Sequence, residues 1–482
     1  MSNPMFRGWP SVAELMESPP LRALAARVQP QQLAADVGRF LNRVRADLHA
    51  ATADAPAPAD LAARVASWIA AHDSPVDMAA INATGAVFYE PLGETPPSDQ
   101  TAAQLAAGQF AAGQLAAARR AAAQRATAEP GNPLSSSRQR AASLAAKLAG
   151  AESAALFSSV AGALATALAS LAADGTVLIA RGQVLDIDGV TLPALARCAH
   201  AKLQEIGAAN QATAAQFEAA ASIQQPSEHG PKLLLGIAPS SFRMRPPYSF
   251  PDWATLGSVA RRHQLPLLID LGSGGLTPVS IEGLDGLTSA AEALRAGADL
   301  CFVRGEKLVG GPRCGIALGS ARLIQQLEAH PLRAAWPLSL STSAALEATL
   351  EATLEASGSA SAELDFEPLA IRLLRVSAEN LRNRAERLAP QLAALDFIAT
   401  AEARHSKASL TTPDDGWEIP GWSVFIRPRS GTASGLLERL ANATPAVVGR
   451  LAGDWVELNL RSVPPTRDID LVAILEQLGQ AS

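Results

Sequence analysis

A chain of 482 residues with a formal charge of −6 is too long for one ordinary core and is expected to form two or three domains. Apolar residues make up 48% and charged residues 18%, but alanine supplies much of the apolar share, and the longest apolar stretches are broken by Gly, Pro or charge, which argues against a membrane span. Cys198, Cys301 and Cys314 lie in apolar segments without CxxC or Cys/His spacing, so they read as reduced core thiols rather than a zinc site.

In chain order, Met1 to Pro10 holds a single Arg7 and no apolar core of a signal peptide, so a cytoplasmic location is expected. Helical periodicity runs over residues 11–70, with Leu33, Val37, Phe40, Leu41 and Val44 on one face, and is interrupted by the Ala/Pro run from Ala51 to Asp60. This predicts an N-terminal helical domain over 1–72. An irregular segment, Ile81-Asn82-Ala83-Thr84-Gly85, precedes an Ala/Gln-rich helix over 101–128. From Arg138 short apolar strands alternate with helices: Ala154 to Phe157, Thr176 to Ala180, Leu233 to Ile237, Leu267 to Ile269, Leu300 to Val303 and Gly315 to Leu318. That alternation predicts an α/β domain over 73–340 built on a mostly parallel sheet. A long amphipathic helix over 369–395 then opens a small α+β domain, 341–482, with strands at Trp422 to Arg427, Ala446 to Leu451 and Trp455 to Leu460.

Ligands of open parallel sheets sit beyond the carboxyl ends of the strands, and three such places carry chemistry. Ser158-Ser159-Val160-Ala161-Gly162 leaves a strand and opens a helix, where free backbone N–H groups could receive a phosphate; taken alone, the residues favour a plain Ser cap. Asp270-Leu271-Gly272-Ser273-Gly274 puts a carboxylate at a strand exit, suited to a pyridinium nitrogen or simply to a turn. Arg304-Gly305-Glu306-Lys307 puts one of only five lysines among glycines after another strand, which suits an imine-forming amine, though taken alone it reads first as an exposed loop lysine. No Lys-Ser or Lys-Thr of a P-loop is present, and no histidine pair has metal-ligand spacing. It is the order of phosphate turn, acid and lysine along about 150 residues that favours a functional reading.

Nearly end to end, these motifs resemble the bacterial selenocysteine synthases, the L-seryl-tRNA(Sec) selenium transferases. Ile81 to Gly85 matches that family's Ile-Asn-x-Thr-Gly, Ala180-Arg181-Gly182 its Ser-Arg-Gly, Asp270 to Gly274 its Asp-Leu-Gly-Ser-Gly, and Glu306-Lys307-Leu308-Val309-Gly310-Gly311-Pro312 its lysine motif; His330-Pro331-Leu332 and Val447 to Arg450 also match. The resemblance implies a fold-type-I, aspartate aminotransferase-like pyridoxal 5'-phosphate enzyme and a homo-oligomer, a dimer or ring of dimers. It implies Lys307 as catalytic and cofactor-binding lysine, Asp270, Ser158, Ser159, Gly162 and Ser240 around the cofactor, and Arg181 and Arg333 toward substrate. The implied partners are seryl-tRNA(Sec), engaged in part by the N-terminal domain, and selenophosphate. The implied reaction turns the serine into selenocysteine through an aminoacrylyl intermediate. The chain departs from the family where anions are handled: Glu94, Ala334 and Pro337 stand in place of three arginines, and Ala208-Ala209 in place of two threonines. A lyase or β-replacement enzyme on a small amino acid, or a non-catalytic relative, are the alternative readings.

Overall fold

The computed structural model describes residues 10–25, scattered positions between 33 and 65, and residues 80–92, 133–223, 231–244, 247–358, 368–413 and 415–480. The helix expected over 101–128 lies outside these residues, as does Glu94. The chain forms two compact units, one of residues 1–80 with 441–446 and one of 81–440 with 447–482.

In the first unit α1 (Val12–Met16) is started by a capping box: Ser11 Oγ accepts the Glu14 N–H, and Glu14 accepts the Ser11 N–H. With α2 (Pro19–Ala25) it contributes Leu15 and Leu21 to a cluster that also buries Leu33, Val37, Phe40, Leu41, Leu61 and Val65. Four of the residues expected to share one helical face are therefore core.

The second unit is organised by a seven-stranded sheet. Its strands are β2 (Ser153–Phe157), β3 (Thr176–Ala180), β6 (Lys202–Ile206), β7 (Lys232–Ile237), β8 (Leu267–Asp270), β9 (Leu300–Arg304) and β10 (Gly315–Gly319). They lie in the order β2-β10-β9-β8-β7-β3-β6, and only β10 runs against its neighbours. Side chains alternate between two cores because a strand has a period of two. Leu156, Leu234, Ile269, Cys301 and Val303 face one core, while Phe157, Leu235, Leu268, Leu300 and Phe302 face the other. Helices cover both faces, as a parallel sheet demands. One side carries α3 (Pro133–Ala149) and α7 (Trp253–His263), and the other carries α4 (Val160–Leu171) and α9 (Ala321–Ala329).

The C-terminal part folds as an antiparallel sheet, β11-β12-β15-β14, from β11 (Ile398–Ala408), β12 (Ile419–Pro428), β14 (Arg450–Ala452) and β15 (Trp455–Asn459). The helix expected over 369–395 is two helices, α11 (Leu369–Arg375) and α12 (Ala378–Ala393), because Ser377 leaves helical geometry and caps α12 through the Asn380 N–H. The expected strand from Ala446 to Leu451 is likewise split into β13 (Val447–Val448) and β14, and β13 pairs with β1 (Ile81–Asn82). Cys301 and Cys314 are core thiols, but Cys198, at the end of its helix, is exposed and corrects the expectation for that residue.

Candidate active site

At the carboxyl end of β9 lies a cavity of about 780 Å3 lined by Phe88, Glu90, Ser240, Arg304, Glu306 and Lys307, among others. Asp270 ends β8 with its carboxylate buried, and accepts the Gly272 N–H at 3.0 Å. Gly272 turns the chain there with φ of 59°, and a Cβ on it would stand 2.5 Å from the carbonyls of Ala238 and Pro239. The Asp-Leu-Gly run is therefore a geometric requirement of the turn that presents the acid.

Arg304 ends β9, its side chain only 4% exposed. Its Nη1 donates to Asp270 Oδ1 at 2.9 Å and to the Gly272 carbonyl at 3.1 Å, and its Nε donates to Asp188 Oδ1 at 2.9 Å. Burial works against the charge on Arg304, yet the two carboxylates raise its pKa above the ordinary arginine value. The next residues fold back on themselves, with the Gly305 N–H on the Cys314 carbonyl and the Gly311 N–H on that of Gly305. This closed loop holds Lys307 with its side chain 6% exposed, its Nζ 5.5 Å from the Phe88 ring centroid and 3.3 Å from Glu90 Oε1. Burial pushes the amine below the usual lysine range, with Glu90 opposing the shift. Burial also raises the carboxyl of Glu306.

At the start of α4, Ser159 is the N-cap and accepts the Gly162 N–H at 3.1 Å, so the Ser cap reading of this residue is realised. Gly162 lies under Trp336, where a Cβ would come within 2.6 Å of the indole. The Ala161 N–H donates at 3.0 Å to Asp188 Oδ2. A carboxylate already rests on this helix end, as its partial positive charge favours. Ser158 is half-buried beside it, and Ser240 lines the cavity while its carbonyl accepts the Ser273 hydroxyl.

Two residues expected near substrate are elsewhere. Arg181 is exposed and paired with Glu205 at 2.8 Å, and it does not line the cavity. Arg333 is buried over the Phe157 ring and donates to Glu328 and to the carbonyls of Leu156 and Trp336. Three of its donors hold β2 and the turn after α9. The residues that sequence reasoning passed over are Asp188, Glu90 and Phe88. Asp188-Gly189 is a hairpin signal between β4 (Asp186–Ile187) and β5 (Val190–Thr191), and that signal says nothing of where the carboxylate goes.

Known proteins agree on the family. A model described as L-seryl-tRNA selenium transferase matches residues 80–464. The L-seryl-tRNA(Sec) selenium transferase of Moorella thermoacetica is 29% identical over 99% of this chain and 97% of that protein. The protein of the same name from Klebsiella pneumoniae subsp. pneumoniae is 33% identical over 59% of this chain and 60% of its own. Among solved structures, D-glucosaminate-6-phosphate ammonia-lyase aligns with a TM-score of 0.54 at 17% identity, over 83% of this chain and 96% of that one, and shares its fold.

Proposed function

The chain belongs to the L-seryl-tRNA selenium transferase family, and on that premise we propose that it converts L-seryl-tRNA(Sec) to selenocysteinyl-tRNA(Sec) with selenophosphate as donor, using pyridoxal 5'-phosphate bound to Lys307. The single observation that carries this reading is a buried, charge-disfavoured amine at the exit of β9, one strand away from the buried carboxylate that ends β8. The donor set fits the cofactor: an amine for its aldehyde, Asp270 for its pyridine nitrogen, and a helix end that already holds a carboxylate for its phosphate.

When bound, pyridoxal phosphate withdraws electrons from the α-carbon of an attached amino acid, which makes the α-proton acidic and the β-substituent a leaving group. The chain's residues do the rest. Asp270, kept in place by Gly272 and Arg304, holds a proton on the pyridine nitrogen. Lys307 would hold the cofactor's aldehyde and, once released, would remove the α-proton, a role its lowered pKa favours. The Phe88 ring lies beside the amine, 5.5 Å from Nζ to its centroid. Ser158, Ser159 and Gly162, at the start of α4, would receive the phosphate, and Ser240 lines the cavity. Arg313 lines the same cavity and is the cation we assign to the anionic donor.

Treatment with pyridoxal phosphate, borohydride reduction and peptide mass spectrometry tests the lysine directly. The reduced pyridoxyl group is expected on Lys307 and absent in Lys307→Ala; modification spread over other lysines contradicts the assignment.

A further inference from the structure

The helix end at Ala161, Arg304 and Asp270 form one hydrogen-bonded chain beside the cavity that Asp188 and Arg304 line, and the link between helix and arginine is a side chain of the protein itself. Asp188 Oδ2 takes the Ala161 N–H at 3.0 Å, and Oδ1 takes Arg304 Nε at 2.9 Å. Its side chain is 10% exposed, and that of Arg304 is 4%. Asp188 is presented by the tip of the β4–β5 hairpin, where φ is 51° at Asp188 and 85° at Gly189. Positive φ at both loop residues is the hairpin turn that Asp-Gly favours, and Asn or Gly serves the turn equally well. The turn therefore accounts for the backbone but not for a buried carboxylate on a helix end. A second negative charge in the same place is costly, because Glu306 and Asp186 also line this cavity.

We propose that Asp188 is an internal anion that fills the phosphate position of the cofactor site. Loading then proceeds by exchange: the hairpin tip withdraws Asp188 from the Ala161 N–H and from Arg304, and the incoming phosphate takes both donors. This inference rests on the cofactor reading above and adds to it a built-in competitor that weakens cofactor binding in proportion to the hold of Asp188. Arg304 is thereby a positioning residue for Asp270 and a second donor for the phosphate.

The test compares the full-length protein with Asp188→Asn, which keeps the turn and removes the charge, and with Asp188→Gly as a second variant of the same turn. Three probes are titrated: pyridoxal phosphate, pyridoxal without the phosphate, and inorganic phosphate alone. Losing one charge-assisted competitor is expected to tighten pyridoxal phosphate about tenfold or more, to tighten inorganic phosphate in the same direction, and to leave pyridoxal within about twofold of wild type. Equal or weaker binding of pyridoxal phosphate and inorganic phosphate by both variants overturns the proposal, and so does an equal gain for pyridoxal. Should no pyridoxal compound attach to any of the proteins, the cofactor reading fails. Inorganic phosphate then decides the Asp188 inference alone, standing if the variants bind it more tightly and falling if they do not.

Discussion

The charge on Lys307 is disfavoured first by burial and also by the nearby Arg304 guanidinium, and that sets its pH behaviour. Its charged form is disfavoured in the fold, so its pKa lies below the ordinary 10.5. The sign follows: stability is lowered while the amine is charged and recovers as pH rises through the depressed pKa. Pyridoxal phosphate attachment should therefore rise with pH along a curve whose midpoint lies below 10.5. Because Glu90 opposes the shift, Glu90→Gln should move that midpoint further down; a midpoint moving up contradicts the role given to Glu90. Asp270→Asn leaves buried Arg304 ion-paired with Asp188 alone and should cost about 3 kcal/mol, read from denaturant midpoints. Asp270 and Lys307 were legible in the sequence because each follows an apolar strand and is flanked by glycines, a pattern that local geometry demands. Arg181 and Arg333 were not, since a motif match names a guanidinium but not its acceptors, here Glu205 in one case and main-chain carbonyls in the other.

At the scale of elements, the strands buried on both faces could be read from sequence to within a residue or so, as with Thr176–Ala180. β6 was not legible: it is an edge strand whose residues Lys202, Gln204 and Glu205 break the apolar pattern. The join between α11 and α12 was hidden for the opposite reason, because apolar periodicity continues across it while the cap at Ser377 ends it. Ser377→Ala should cost about 1 kcal/mol of stability in a chemical melt without changing cofactor attachment. Arg384 on α12 is buried against Asp468, at the start of α14 (Asp468–Gln480), and also donates to the Leu460 and Val463 carbonyls. Arg384→Ala strands a buried carboxylate and two carbonyl acceptors, though Arg387 also reaches Asp468. The expected loss is about 3 kcal/mol by the same melt, and a loss below about 0.5 kcal/mol would remove this pair from the account of how the C-terminal sheet is held.

For the whole molecule, among the described residues no helix is long and apolar enough to cross a membrane, and no cluster of His, Cys, Asp and Glu forms a metal site. The parallel sheet pairs β8 with β9, which is why Asp270, 37 residues before Lys307 in sequence, lies beside Arg304, a residue of the cavity that Lys307 lines. We assign seryl-tRNA recognition in part to residues 1–72 and expect a homo-oligomer. A chain starting at residue 73 should retain pyridoxal attachment and lose most of its affinity for seryl-tRNA(Sec), measured by filter binding; equal affinity would move tRNA recognition elsewhere. The measurement that bears most directly on the central claim is transfer of radioactive selenium from selenophosphate to seryl-tRNA(Sec) by the pyridoxal phosphate-loaded protein. Label on the tRNA with wild type and none with Lys307→Ala is the expected result. A loaded protein that leaves seryl-tRNA(Sec) unlabelled, under conditions where a Moorella thermoacetica relative labels it, would contradict it.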